Sequence, residues 1–282
     1  MKALSELMPM ALSEIDWDSK FSNDGYDATN KTITQQLVEL DNLKKGNLTG
    51  LDCEVCRNKG FISIYIPETD SSKIDDCECM KVRKSQKNAE QSGMGELLSH
   101  RLRDFKATEP FQVVMRDKVK DYILNARTEW FLALGQSGCG KTMICSSICN
   151  ERMTRYDEDQ RKYTQVKYMI WNDYVEKMNK LRFEFDRDHY FYDHAKAELL
   201  YIDDLFKGRH TDNDIKLAFD LINYRYNNNL PTIISSEMTI DEIRNLDEAL
   251  AGRMFQKATE RFTVQVGKDE DKNYRFKGLV KL

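Results

Sequence analysis

The sequence predicts an α/β fold, in which a parallel sheet lies between helices, with a small cysteine-containing domain in front of it. Three observations lead to this prediction. The octapeptide 135–142 fits the phosphate-loop pattern G-x-x-x-x-G-K-S/T. Apolar, strand-like segments alternate with helical ones after residue 97, which is typical of parallel sheets. Two close cysteine pairs lie between residues 51 and 80.

Composition limits the class of protein. The chain has 282 residues, a formal net charge of −4 and 32% charged residues, which is typical of a globular protein. The chain has no overall excess of positive charge that would indicate a nucleic-acid-binding protein. No apolar run approaches the ~20 residues that are needed to span a bilayer. Glu6 and Pro9 interrupt the first apolar run, so no secretory signal is expected. We therefore expect a cytoplasmic protein with reduced thiols and no membrane partner.

Changes in composition divide the chain into four segments: a helical segment (1–50), a cysteine-containing β unit (51–80), a charged linker (81–96) and a segment of alternating strands and helices (97–282). In the first, Ile33, Leu37, Leu40 and Leu43 form an apolar stripe behind a cap at Thr32 or Thr34. The stripe alone favours a small core, with partner binding as the alternative.

The pattern of apolar residues in the last segment predicts alternating strands and helices. Strands are expected at 130–134, 166–171, 199–202 and 232–236. Helices are expected at 116–127, from the phosphate loop to about residue 155, and at 215–226. Two further helices are expected to begin after a cap at Asn172 and after a capping box at Thr239.

The phosphate loop predicts a nucleoside triphosphate site. Its glycines let successive backbone N–H groups point at an anion, and the dipole of the following helix adds to the attraction. Lys141 is expected to reach the β- and γ-phosphates, and the Thr142 hydroxyl to ligate Mg²⁺. An accidental glycine turn is the alternative. The expected nucleotide contacts are Gly135, Gln136, Ser137, Gly138, Cys139, Gly140, Lys141, Thr142 and Met143.

A second apolar strand ends in two acids. Asp203 is expected to orient Mg²⁺, and Asp204 to position or activate the attacking water, less well than the longer Glu that is usual there. Later, Arg253 on a predicted helix can stabilise transition-state charge in a neighbouring subunit, or it is a surface arginine in a salt bridge.

Four segments in this order resemble the AAA+ ATPases of bacterial replicative helicase loaders of the DnaC/DnaI type, above all phage-encoded or Gram-positive members. They are Gly-Gln-Ser-Gly-Cys-Gly-Lys-Thr, Leu-Leu-Tyr-Ile-Asp-Asp, Pro-Thr-Ile-Ile-Ser-Ser and Ala-Gly-Arg-Met. The resemblance implies an AAA+ P-loop domain that hydrolyses ATP, with Lys141 and Asp204 as catalytic residues, Arg253 as arginine finger, and Ser236 or Glu237 as sensor 1. It also implies that Phe105 packs by the adenine and that residues 273–275 match a Ser-Tyr-Arg element of the family.

Two departures favour slow, assembly- or DNA-stimulated hydrolysis. The sensor-1 position is usually Asn in this family, whereas here it is Glu237, whose charge would repel a γ-phosphate. The sequence after Arg275 also leaves no room for a complete helical lid.

The cysteine pairs predict a structural metal site. Cys53, Cys56, Cys77 and Cys79 supply the soft ligands that tetrahedral Zn²⁺ prefers. Because four cysteines leave no open position, the metal should not be catalytic. An iron–sulfur cluster and unligated cysteines are the alternatives.

The resemblance further implies partners: a replicative hexameric helicase held by the N-terminal part (the partner-binding segment 1–50 with the zinc-binding unit 51–80), single-stranded DNA, and self-association through the ATPase domain (97–282). Cations next to aromatic side chains suit single strands, and the candidates are Lys180, Arg182, Phe183, Lys207 and Arg209. A solvated charged face is the alternative. A transposition regulator of the IstB type and a non-hydrolysing nucleotide-binding adaptor are the rival functions.

Overall fold

The computed structural model describes residues 31–157 and 162–276. Residues 1–30, 158–161 and 277–282 lie outside the described residues. The structure therefore does not describe the residues on which the secretory-signal prediction rests, nor the first part of the predicted partner-binding segment. The chain divides into two compact units, residues 1–87 and 88–282. No helix within the described ranges is long and apolar enough to cross a membrane.

The first unit is built on a β-hairpin. Its helices are α1 (Ile33–Leu43) and α2 (Cys79–Gln91), and its antiparallel strands are β1 (Phe61–Ile66) and β2 (Ser71–Asp76). Thr32 caps α1, as predicted, by accepting a hydrogen bond from the backbone N–H of Gln35 at 3.2 Å.

The apolar stripe of α1 is not a core, so that expectation is wrong. Ile33 and Leu37 are 78% and 61% exposed, and only Val38 is buried on this helix. A polar face of α1 contacts the hairpin instead, because Asn42 exchanges two hydrogen bonds of 2.8 and 2.9 Å with the backbone of Ser63. The side-chain amide of Asn42 thus pairs with the backbone N–H and C=O of one residue of β1, as a neighbouring strand would.

The second unit contains a five-stranded parallel sheet in the order β6-β7-β8-β3-β9. Its strands are β3 (Phe131–Gly135), β6 (Val166–Ile170), β7 (Leu199–Asp203), β8 (Thr232–Ser236) and β9 (Thr263–Val266), and a short hairpin is formed by β4 (Tyr156–Asp157) and β5 (Lys162–Tyr163). The helices are α3 (Pro110–Asn125), α4 (Lys141–Thr154), α5 (Trp171–Lys180), α6 (Asp186–Ala195), α7 (Asp212–Asn227), α8 (Ile240–Leu246) and α9 (Glu248–Ala258). The predicted α/β class is confirmed.

The core surrounds the three central strands, β7, β8 and β3, all of whose residues are buried. Because the strands are parallel, their carboxyl ends meet at one edge, where α/β proteins bind ligands. The predicted strands agree with the structure to within about one residue.

Three helix starts differ from prediction, and one of them is that of α7, which begins at Asp212 behind a Thr211 capping box rather than at 215. Asn172 is not a cap, because α5 already begins at Trp171, behind Ile170. Helix α3 begins at Pro110 rather than 116, because Glu109 and Gln112 form a capping box and proline suits the first turn. The Thr239 capping box is confirmed.

Candidate nucleotide site and cysteine cluster

The phosphate loop joins β3 to α4 at the carboxyl edge of the sheet. Gly135, Gly138 and Gly140 have φ values of +95°, +74° and +101°, in the left-handed region that favours glycine. A Cβ atom on Gly135 would lie 2.0 Å from the carbonyl oxygen of Val266, and one on Gly140 would lie 2.7 Å from the ring of Phe105. Glycine is therefore required at both positions, and Phe105 lies against the loop, next to the first turn of α4.

The ammonium group of Lys141 lies inside this loop. It donates hydrogen bonds to the carbonyl oxygens of Gly135 and Gln136, at 2.8 and 2.7 Å. Burial lowers the pKa of Lys141, while the negative charges of Glu237 and Asp204 act in the opposite direction. The lysine is thus held by two backbone acceptors, which a phosphate can replace.

Asp203, at the end of β7, accepts hydrogen bonds from hydroxyl groups on three strands. Tyr201 donates to Oδ1 at 2.8 Å, Tyr168 donates to Oδ2 at 3.0 Å, and Ser235 also donates to Oδ1. The Thr142 hydroxyl lies 3.5 Å from Oδ1. This places Thr142 and Asp203 together, as the sequence predicted, and their oxygen atoms fit the ligand preference of Mg²⁺.

The two tyrosines and Ser235 were not anticipated as partners of Asp203. Tyr168 and Tyr201 are paired across the parallel strands β6 and β7. Side chains of residues paired in this way lie on one face of a sheet, so the strand register would have indicated them. The register could not be derived from the sequence of a single chain.

Asp204 lies beyond the strand in a left-handed conformation, with φ of +57°. Its backbone N–H donates to the hydroxyl of Ser235 at 3.0 Å, and its carboxylate accepts a 2.7 Å hydrogen bond from Lys207. Lys207 also lies 3.7 Å from the carboxylate of Glu237. The side-chain hydrogen bond to Asp204 raises the pKa of Lys207.

Ser236, a candidate for sensor 1, is fully buried. Its hydroxyl donates to the carbonyl oxygen of Leu205 at 2.6 Å and accepts from the N–H of Met238 at 3.1 Å. The structure therefore uses this hydroxyl to hold the segments that follow β7 and β8.

The C-terminal part of the unit lies on the phosphate loop. The backbone N–H of Tyr274 donates to the carbonyl oxygen of Gly138 at 3.1 Å, and that of Asp269 donates to the side chain of Gln136 at 2.9 Å. The side chain of Asn273 also packs against Gly138. Of the other loop positions, Cys139 is buried, whereas Ser137 and Met143 are half-buried.

In the first unit, the sulfur atoms of Cys53, Cys56, Cys77 and Cys79 lie within 4.8 Å of one another. The Cys53–Cys77 and Cys56–Cys79 sulfur pairs are 3.8 and 3.5 Å apart. Four thiolates around tetrahedral Zn²⁺ are about 3.8 Å apart, because each Zn–S bond is about 2.3 Å. The backbone N–H of Gly60 also donates to Cys56 at 3.3 Å. The cluster therefore fits the predicted zinc ligand set.

The sequence matches the ATPase-domain family of bacterial DnaA over residues 117–259, which is half of the chain. The chain belongs to this family. It is therefore a nucleotide-binding AAA+ ATPase domain with a P-loop, as the motifs predicted.

Two relatives are proteins of Bacillus subtilis (strain 168). The uncharacterized protein YqaM is 32% identical over 214 residues, covering 71% of this chain and 66% of its own length. The phage-like element PBSX protein XkdC is 28% identical over 280 residues, covering 89% of this chain and 99% of its own length. These relatives agree with the predicted likeness to phage-encoded or Gram-positive members.

Among solved structures, the DnaC helicase loader has a TM-score of 0.50 at 18% identity, covering 60% of this chain and 98% of that one. This similarity confirms that the fold is that of the helicase-loader AAA+ domain.

In this DnaA-family domain, Arg253 contacts its own helix, α9, and the neighbouring α7. Its guanidinium donates to the side chain of Asn223 at 3.0 Å and to the carbonyl oxygen of Ala249 at 2.9 Å. It also lies over the rings of Phe219 and Tyr226, at 4.9 and 5.7 Å from their centroids. These contacts are on α7 and α9, and none of them is with a residue of the phosphate loop.

The candidate DNA residues fall into two groups. Phe183 is 93% exposed with the Arg182 guanidinium 5.5 Å from its ring centroid, and Lys180 pairs with Glu176. Lys207 is in the ion pair with Asp204, whereas no ion pair of the exposed Arg209 is found among the described residues.

A cavity of about 290 Å³ lies between α5 and the segment after β7. Asn172, Asn179, Arg209 and His210 are among the residues that line it. The side chain of Asn172 donates to the carbonyl oxygen of Lys207 at 3.3 Å, so the two candidate segments lie side by side.

Proposed function

We propose that this chain is an ATP-dependent loader, which binds a replicative hexameric helicase and helps to place it on single-stranded DNA. The proposed ATP dependence rests above all on one observation: the hydroxyl of Thr142 lies 3.5 Å from Oδ1 of Asp203, beside the phosphate loop. The loader function is supported by the DnaA ATPase family, by the fold shared with the DnaC helicase loader, and by a separate cysteine-cluster unit.

In this proposal, the backbone N–H groups of 135–142 and the Lys141 ammonium bind the β- and γ-phosphates. Thr142 and Asp203 hold Mg²⁺, which supplies positive charge at the phosphates when it is bound. Asp204 positions the attacking water. Lys207 donates a hydrogen bond to one oxygen of Asp204, Oδ2, and so competes with the attacking water for this carboxylate. We therefore expect slow hydrolysis that assembly or DNA accelerates.

The remaining roles concern assembly. Arg253 is the candidate arginine finger toward a neighbouring subunit, which requires it to leave its contacts with Asn223 and Ala249. The first unit, stapled by Zn²⁺ at its four cysteines, holds the helicase. Its exposed residues Ile33 and Leu37 offer apolar surface for such a contact.

Single-stranded DNA is proposed to contact the α5 region and the segment after β7. Phe183 offers an exposed ring for stacking, while Lys180, Arg182 and Arg209 offer cations for phosphates.

The experiment mixes the full chain with the purified replicative helicase of Bacillus subtilis and measures complex mass by light scattering, with and without ATP. Helicase loading is then followed as unwinding of a fork on circular single-stranded DNA. We expect a stable complex, and unwinding that depends on ATP and is lost in Lys141→Ala. Absence of any complex would contradict the loader and favour a transposition regulator of the IstB type.

A second candidate is a non-hydrolysing adaptor in which the nucleotide is structural. The Lys207–Asp204 ion pair favours it, because the ammonium competes with water for the carboxylate that should act on it. Phosphate release in the presence of helicase and single-stranded DNA separates the two candidates. A rate in the wild-type chain that equals those of Lys141→Ala and Asp204→Asn would establish the adaptor.

A further inference from the structure

Lys207 is a cation beside the acids that follow β7 and β8, and the AAA+ motifs do not assign it a role. Its ammonium lies 2.7 Å from Oδ2 of Asp204 and 3.7 Å from Oε1 of Glu237. The side chain is 41% exposed, so a ligand can reach the ammonium.

Glu237 is fixed next to the loop by the sheet. It follows β8, which lies between β7 and β3, and Ser236 is paired with Leu134 of β3. The next residue, Met238, accepts a 3.2 Å hydrogen bond from the backbone N–H of Gly135, the first residue of the loop. The charges of Glu237 and Asp204 also act on Lys141. In the proposed nucleotide site, both acids therefore lie near the terminal phosphate of a bound triphosphate.

Two carboxylates at this place oppose a terminal phosphate, and a cation is needed to offset them. Ser236 cannot replace it, because its buried hydroxyl already donates to Leu205. An ammonium group has three N–H donors. Asp204 accepts from one donor of Lys207, and Glu237 at 3.7 Å is an ion-pair partner without a hydrogen bond, so N–H donors remain for a phosphate oxygen.

We propose that Lys207 binds the terminal phosphate and makes this site prefer a nucleoside triphosphate to a diphosphate, with Asp204 and Glu237 holding its ammonium in place. The inference rests on the proposed nucleotide site and deepens it. It also places the sensing of the γ-phosphate on the loop after β7 rather than on a polar residue at the end of β8.

The test is calorimetric titration of the full chain with Mg-ATP and, separately, Mg-ADP. Lys207→Gln should weaken ATP binding by about tenfold or more and change ADP binding less than about twofold, because a charge-assisted hydrogen bond is lost only with ATP. Lys207→Arg should restore most of the preference. Lys216→Gln is the matched control, since it makes the same substitution at an exposed lysine of α7, the helix after this loop, and should leave the preference unchanged.

A charge-neutral double variant separates direct contact from local charge. In Lys207→Gln/Glu237→Gln, one positive and one negative charge are removed together. The inference requires the preference for ATP to stay low in this variant, and its return to the wild-type value would overturn it. Equal changes in ATP and ADP binding in Lys207→Gln, or no change in either, would also overturn it.

The proposed function fails differently. A folded wild-type chain that binds neither nucleotide would contradict the nucleotide site itself, and this inference with it. A wild-type chain that binds both nucleotides, with a preference that Lys207→Gln leaves intact, would contradict only the role of Lys207.

Discussion

The hydroxyl group of Tyr168 donates a 3.0 Å hydrogen bond to Oδ2 of Asp203, across two neighbouring strands of the sheet. The backbone N–H of Tyr168 is itself fixed by the carbonyl oxygen of Ser92 at 2.8 Å. The tyrosine therefore connects the segment that enters the ATPase domain to the acid proposed to hold Mg²⁺.

Tyr168→Phe removes this hydroxyl and keeps the ring. Because Asp203 loses a donor that orients its carboxylate, we expect the Mg²⁺ concentration for half-maximal ATP hydrolysis to rise about three- to tenfold. Tyr192→Phe, on the exposed side of α6, is the control and should not change it. An unchanged Mg²⁺ dependence in Tyr168→Phe would show that the hydroxyl does not position Asp203.

Gly135→Ala tests the loop geometry. A Cβ atom at this position meets the carbonyl oxygen of Val266 at 2.0 Å, and the backbone has φ of +95°. We expect a loss of about 3 kcal/mol in the free energy of unfolding and of nucleotide binding. Urea denaturation measures the first quantity and calorimetry the second.

Gly252→Ala is the matched control for that variant. Gly252 lies within α9, and a Cβ atom there meets no atom within 4 Å. Alanine should stabilise the chain by about 0.5–1 kcal/mol, because it is the better helix former. Equal destabilisation by both variants would contradict the account of the loop.

Arg225 is a buried cation that holds α6, α7 and β8 together. Its guanidinium donates to the hydroxyl of Thr232 and to the carbonyl oxygens of Ala195, Ala197 and Pro231, among others. Burial lowers its pKa to about 9. Because lysine has fewer donors and a different shape, Arg225→Lys should lower the free energy of unfolding by about 3 kcal/mol.

The exposed Arg244, which pairs with Asp241 one helical turn away, provides the comparison. Arg244→Lys should change the free energy of unfolding by less than about 0.5 kcal/mol. Similar losses in both variants would show that the buried hydrogen bonds of Arg225 are not the cause.

The cysteine cluster predicts about one Zn²⁺ per chain, measured by elemental analysis of protein purified without chelator. Cys79→Ser should reduce this content and lower the thermal stability of the first unit, because the metal staples a unit with a small core. Cys149→Ala, in α4 of the other unit, should leave the content unchanged. Full zinc content in Cys79→Ser, or iron in place of zinc, would contradict the proposed ligand set.

Local sequence patterns predicted most of the fold, because the phosphate-loop motif lies directly between a recognisable strand and a recognisable helix. Glycines 135, 138 and 140 each need a left-handed backbone, and Thr239 and Glu242 cap α8 as their spacing indicates. Helix α6 was missed because its face is aromatic and polar rather than aliphatic, and β9 was missed because it has only four residues.

The candidate site was predictable only in part. Thr142 and Asp203 come together because each follows a strand at the same sheet edge. The contacts of Asp203 with Tyr168 and Ser235 depend on the registers of β6 and β8 with β7, and the Lys207 ion pair depends on a turn in which Asp204 and Phe206 both have positive φ. Neither feature has a pattern in the sequence of one chain.

Calorimetric titration of the folded full-length chain with ATP and Mg²⁺ is the most direct test of the nucleotide site. We predict one saturable binding event that Lys141→Ala weakens by about a hundredfold or more, since the variant loses the cation at the phosphates. Saturable binding that is equally tight in the wild-type and Lys141→Ala chains, or no binding in either, would contradict it.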